Sequence, residues 1–96
     1  MRNKITSMLK DHLSEIKQRY KVKEIGVFGS HIKEKAKKRS DIDILVEFEE
    51  GHNSFDNYME LKFFLEELFG CKIDLVSKKA LKERLKPHIL SEVVYV

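Results

Sequence analysis

Asp41 and Asp43 stand one residue apart in SDIDILVEF, a run whose alternate residues Ile42, Ile44, Val46 and Phe48 are apolar. Side chains at i and i+2 on a strand share a face, so the two carboxylates project together. Like charges that close repel, and one of them is pushed toward its protonated form. Keeping both ionised requires a cation, and an all-oxygen donor pair suits Mg²⁺ or Mn²⁺. Taken alone, the pair fits a strand end bathed in water better than a metal site. Asp74 changes that balance. It interrupts Ile73, Leu75 and Val76 in a second apolar run, KIDLV. Three carboxylates from two neighbouring strands can hold two divalent ions, which clamp the attacking and leaving oxygens of a phosphoryl displacement.

A phosphate-binding feature precedes the carboxylates. Gly29-Ser30 ends the β-prone run KEIGVF. Glycine lets backbone approach a phosphate, a turn presents free N–H groups to it, and the serine hydroxyl adds a hydrogen bond. A Gly-Ser pair by itself is only a turn. Followed by ten residues and then Asp41-x-Asp43, it becomes a spaced pattern. Lys33, Lys35, Lys37, Lys38 and Arg39 fall between the two halves and put positive charge near the place of a triphosphate. His12, His31, His52 and His88 show no ligand spacing and read as surface or structural residues. Tyr20, Tyr58 and Tyr95 sit on apolar patterns and read as packing residues, and Cys71 as a small hydrophobe.

These residues need elements to position them. Ile5, Met8, Leu9, Leu13, Ile16 and Tyr20 follow helical spacing and predict one amphipathic helix over residues 3–20. Strands are predicted at Lys23–Phe28, Ile42–Phe48 and Lys72–Val76. Between the last two, Ser54 is a good N-cap and Gly70 a good helix-ending residue. The helix between them has a wide apolar face of Phe55, Tyr58, Met59, Leu61, Phe63, Phe64, Leu65 and Leu68. Ser77 is read as capping a further helix to about Lys86, and Pro87 as starting a last helical piece through Val93 or Val94. The order is α-β-β-α-β-α. A β-α-β crossover is normally right-handed and makes its two strands parallel. The first strand returns through a ten-residue loop, so it should pair antiparallel with the second. The expected fold class is α/β (α+β): a small mixed β-sheet packed with helices, in one domain over residues 1–96, without linker or internal repeat.

Composition sets limits. The 96 residues are 42% hydrophobic and 36% charged, with four Gly and one Pro, which excludes disordered, collagen-like and low-complexity chains. No apolar run approaches the roughly 20 residues that span a bilayer, so no membrane is expected. MRNK leads straight into an amphipathic pattern, without the apolar core of a signal peptide. With one cysteine, Cys71, no internal disulfide forms, and a reducing cytoplasm is the expected location. A net charge of +3 is too mild to imply direct nucleic-acid binding, which is not expected. Its distribution is more telling. A basic stretch at 31–39 is followed by seven acids at 47–67 (Glu47, Glu49, Glu50, Asp56, Glu60, Glu66, Glu67) against Lys62. Such opposed patches suit an anionic ligand on one side and a partner on another.

Gly29-Ser30-x10-Asp41-Ile42-Asp43, in the form GS-x10-SDIDILV, resembles the signature of the polymerase-β-like nucleotidyltransferase superfamily. IGVFGS, KIDLVS and the tail LKPHILSEVVYV are similar to its minimal nucleotidyltransferase branch, over essentially the whole chain. His31 and Lys33-Glu34 stand where many members carry Arg and then Arg-Gly. The resemblance implies the nucleotidyltransferase fold, with Gly29 and Ser30 gripping the triphosphate and Asp41, Asp43 and Asp74 binding two Mg²⁺ ions. Asp41 and Asp43 would be the catalytic pair, with ATP as substrate. Larger relatives carry a helical domain for the acceptor, and 96 residues leave no room for one. The family implies that the platform is a partner: a small helical HEPN ribonuclease toxin, whose tyrosine receives AMP in a type VII toxin–antitoxin pair. Two alternatives stand beside this expectation. One is a non-catalytic antitoxin acting by contact alone, and the other is transfer to a small molecule or an RNA 3′ end.

Overall fold

The computed structural model describes residues 2–28, 42–81, 83–84 and 86–96. Its elements are α1 (Arg2–Asp11), α2 (Leu13–Tyr20), β1 (Val22–Phe28), β2 (Ile42–Phe48), α3 (Phe55–Phe69), β3 (Ile73–Ser77), α4 (Lys86–Glu92) and β4 (Val94–Tyr95). The strands form one mixed sheet in the order β3-β2-β1-β4. As expected from the crossover, β2 and β3 are parallel neighbours, and β1 runs antiparallel to β2.

Alternation along the strands sorts the two faces. Ile42, Ile44, Val46 and Phe48 of β2 are buried with Val22, Ile25 and Val27 of β1 and Ile73 and Leu75 of β3. Leu9, Ile16, Leu61 and Leu65 from α1, α2 and α3 close that core and are fully buried. A bulge at Lys23 shifts the register between Val22↔Phe48 and Glu24↔Glu47, so Val22 keeps its place in the core. The opposite face carries Glu24, Gly26 and Phe28 of β1, Asp43, Leu45 and Glu47 of β2, and Asp74 and Val76 of β3.

The third helix has the ends its sequence implies. Ser54 Oγ accepts the Asn57 N–H at 3.2 Å, and Gly70 adopts the left-handed conformation at φ 69° while donating to the Glu66 carbonyl. Asn57 also ties this helix to its surroundings, donating to the carbonyls of Tyr20 (2.7 Å) and His52 (3.0 Å). Without that amide, the last turn of α2 would lack one partner.

Four expectations are corrected. The single helix over 3–20 is two, broken at His12, whose amide is shared between the Met8 and Leu9 carbonyls while its ring bonds Met8 O at 3.0 Å. A side chain competing for a helix carbonyl bends the ladder at that point. The helix from Ser77 to Lys86 is replaced by a 3₁₀ turn at Lys78–Ala80, which Ser77 does not cap and which ends at extended Leu81. A fourth strand, β4, pairs antiparallel with β1 through Gly26↔Tyr95 and Val27↔Val94. Finally, Phe55, Phe63 and Tyr95 are exposed rather than packed.

Candidate active site

Asp43 and Asp74 are register partners across the parallel β2–β3 pair. They share the face opposite the helical core, and neighbouring strands lie only about 4.8 Å apart. Asp43 is half-buried and Asp74 exposed, so the pair opens to solvent. Strand order and hydrophobic alternation thus bring together two of the three carboxylates expected to act jointly. Gly29, Ser30 and Asp41 lie outside the described residues, as do His31 and the basic stretch 33–39. Phe28 ends β1 directly opposite Asp43, and Ile42 begins β2.

Asp74 sits on an edge strand, and α3 secures that edge. Ile42 N–H donates to Lys72 O at 3.2 Å, so alternate backbone groups of β3 face β2 and the others point outward. Two of the outward groups are taken by helix side chains. Tyr58 donates its hydroxyl to Leu75 O at 2.5 Å, and Glu66 Oε2 accepts the Ile73 N–H at 3.3 Å. Burial raises the Tyr58 hydroxyl above its ordinary range, and the Asp74 charge raises it further. These two contacts bracket Asp74 and keep its strand against β2.

On the same face, Lys78 places Nζ 3.6 Å from both Glu24 and Glu47, which are themselves register partners. Like charges directly opposite each other destabilise a sheet, and one ammonium between them offsets that. Lys78 also lies over the Tyr95 ring at 5.9 Å. Burial works to lower its pKa, but Tyr95, Glu47 and Glu24 outweigh it and the net direction is upward. The sequence reads Tyr58 as a packing residue and Glu66 as one of seven acids, and it gives Lys78 no role; the hydrogen bonds of the first two to β3 are not legible in it. The available signal was weak: polar groups at the margin of an apolar helix face, and a lysine directly after a strand.

Among the described residues no three His, Cys, Asp or Glu side chains converge on a metal position, and the two described carboxylates are of the oxygen type that a hard divalent cation takes. Asp43 and Asp74 offer adjacent oxygen donors on a solvent-facing side, whereas the other face of the sheet is hydrocarbon. The set is unsuited to a soft metal, since Cys71 lies before β3 and packs against the core.

The nucleotidyltransferase domain family profile matches residues 9–96. This chain belongs to that family. Its likeness runs to the minimal branch. It is 48% identical over 92 residues to the protein adenylyltransferase MntA of Thermococcus cleftensis, covering 96% of this chain and 92% of the relative. A solved structure provisionally assigned as a minimal nucleotidyltransferase superposes with a TM-score of 0.81 at 32% identity, covering 98% of this chain and 95% of that one. The structure of the tri-AMPylated Shewanella oneidensis HEPN toxin in complex with MNT antitoxin matches with a TM-score of 0.60 at 23% identity. That match covers 98% of this chain and 66% of the other, and the likeness is one of fold. No helix among the described residues is long and apolar enough to cross a membrane.

Proposed function

We propose that residues 1–96 form one minimal nucleotidyltransferase unit that moves AMP from ATP to a tyrosine of a partner HEPN ribonuclease toxin, and so acts as its antitoxin. The observation that carries the reading is the Asp43↔Asp74 register, which joins the second half of the DxD motif to the later strand aspartate. The name of the Thermococcus cleftensis relative supports protein adenylylation, and the AMPylated HEPN toxin of the Shewanella complex supports the acceptor class.

In the proposed reaction, the tyrosine oxygen forms a bond to the α-phosphorus of ATP. The bond from that phosphorus to the bridging oxygen breaks, pyrophosphate leaves, and the hydroxyl proton passes to a carboxylate of the site. Gly29 and Ser30 hold the triphosphate by backbone N–H and hydroxyl donors. Asp41 and Asp43 form the catalytic pair, with Asp74 completing the carboxylate set. Mg²⁺, held by Asp41, Asp43 and Asp74, would stabilise the charge that develops on the transferring phosphoryl group. Tyr58 and Glu66 keep β3 in register with β2, so Asp74 stays beside Asp43. A reducing cytoplasm suits a chain whose sole cysteine has no disulfide partner.

Cell survival separates catalysis from simple contact. Cells expressing the HEPN protein should grow when this chain is co-expressed, and growth should be lost with Asp41→Asn/Asp43→Asn at equal antitoxin level. Full protection by the double variant would overturn the catalytic reading in favour of neutralisation by binding.

A further inference from the structure

Among the described residues, the long helix leaves part of its surface without a packing partner. Leu61 and Leu65 of α3 are fully buried, while Phe55 and Phe63 are 74% and 58% exposed. With the half-buried Met59, they form a stripe at i, i+4 and i+8, about 12 Å long at 1.5 Å per residue. Isolated exposed hydrophobics are common on soluble proteins, but a helical row of three with two aromatics is a candidate contact surface.

The stripe opens into a cleft at one end. Phe55 also lines an open cleft of about 470 Å³, with Tyr58, Leu75, Val76, Lys79 and Ala80 on its other sides. Neither Asp43 nor Asp74 lines it. Along its length, the edge of β3 is occupied at Ile73 and Leu75 by Glu66 and Tyr58, which leaves little room for an incoming strand to pair there. A helix laid along α3 meets no such obstacle.

Charge identifies the occupant further. Asp56, Glu60 and Glu67 are exposed and lie together along one flank of the stripe, by their helical spacing. A second copy of this chain packed antiparallel through the same stripe would set these acids against their equivalents. A basic partner would be attracted along the whole row.

We infer that the Phe55–Met59–Phe63 face of α3 docks a basic amphipathic helix of the partner protein, with one large apolar side chain of that helix seated in the adjoining cleft. The inference rests on the proposed antitoxin reading, for which it names the surface that holds the acceptor protein. Apolar anchors carry the affinity, and the acidic row sets orientation and the rate of encounter.

Binding of the purified HEPN partner should be measured by calorimetry with wild type, Lys17→Gln, Phe55→Ser/Phe63→Ser and Phe63→Glu. Thermal melts should check that each variant is folded. Wild type and Lys17→Gln, an exposed change on α2, should bind alike. Each phenylalanine variant should weaken binding by at least about thirtyfold, as loss of a buried aromatic anchor does. Asp56→Lys/Glu60→Lys should slow association and flatten its dependence on salt. If folded phenylalanine variants bind as tightly as wild type, the docking surface is wrong while the antitoxin reading stands. If wild type itself does not bind the partner, the antitoxin reading fails and takes this inference with it. A wild-type dimer by light scattering that Phe63→Glu converts to a monomer, with partner binding unchanged, would assign the face to self-association and overturn the proposal.

Discussion

Asp43 and Asp74 come from separate parts of the sequence and meet because β2 and β3 are parallel and in register. Each was legible as an odd residue, a carboxylate inside an apolar strand. Their pairing needed the crossover rule as well as the pattern. If they share a cation, metal and nucleotide should stabilise the fold. At about a hundred times its dissociation constant, a ligand adds about 2.7 kcal/mol, or on the order of 10 °C for a domain this small. Mg²⁺-ATP should give that shift in wild type and little of it in Asp43→Asn or Asp74→Asn, read by differential scanning fluorimetry. Chelation with EDTA should return wild type to its ligand-free melting temperature.

Two neighbouring residues set an alkaline limit. The Tyr58 hydroxyl is raised from 10.0 by burial and by Asp74, and Lys78 from 10.5 despite burial, through Tyr95, Glu47 and Glu24. A folded pKa above the unfolded value means that the protonated form favours folding. That stability is complete below about pH 10 and is lost as pH climbs through the raised values. Melting temperatures should fall above about pH 10, less steeply in Tyr58→Phe, and phenolate absorbance should place the Tyr58 titration above that of an exposed tyrosine.

At the scale of elements, the sequence carried β2, β3 and α3 almost to their ends, because alternation, Ser54 and Gly70 are local signals. Ser54→Ala should destabilise by about 1 kcal/mol in urea melts, the usual effect of losing an N-cap. What it did not carry depends on contacts between distant residues. The break at His12 comes from a ring-to-carbonyl bond that competes with the helix, and helical periodicity runs unchanged across it. β4 has two residues and exists because β1 offers it an open edge. Gly26 is the counterpart of that strand. A Cβ there would lie 2.8 Å from Val93 Cγ2, 2.8 Å from Val94 O and 3.1 Å from Tyr95 Cα. Gly26→Ala should therefore cost about 1–3 kcal/mol, as overpacking does, and hasten proteolysis of residues 93–96. A melt indistinguishable from wild type would show that the tail is not packed as described.

For the whole molecule, size and charge distribution pointed outward from the beginning. The acids at 47–67 are not one patch. Glu47 is held by Lys78, Glu66 caps the β3 edge, and Asp56, Glu60 and Glu67 line the apolar stripe of α3. Phe55 and Phe63 belong to the same division of labour: a helical pattern with more apolar positions than one core requires. The sequence revealed the excess, but only the direction of α3 across the sheet showed which residues remain outside. The site occupies one face of the sheet and the stripe the outer surface of a helix on the other. An acceptor protein held by α3 must therefore reach around the β3 edge or present its tyrosine from a second subunit.

The central claim is that this chain transfers AMP to its partner using the paired aspartates. The direct measurement is intact-mass spectrometry of the HEPN partner after incubation with Mg²⁺-ATP and this protein. The account predicts mass increments of whole AMP groups with wild type and none with Asp43→Asn or Asp74→Asn. An unmodified partner that is nonetheless inactivated, or full modification by both variants, would contradict it.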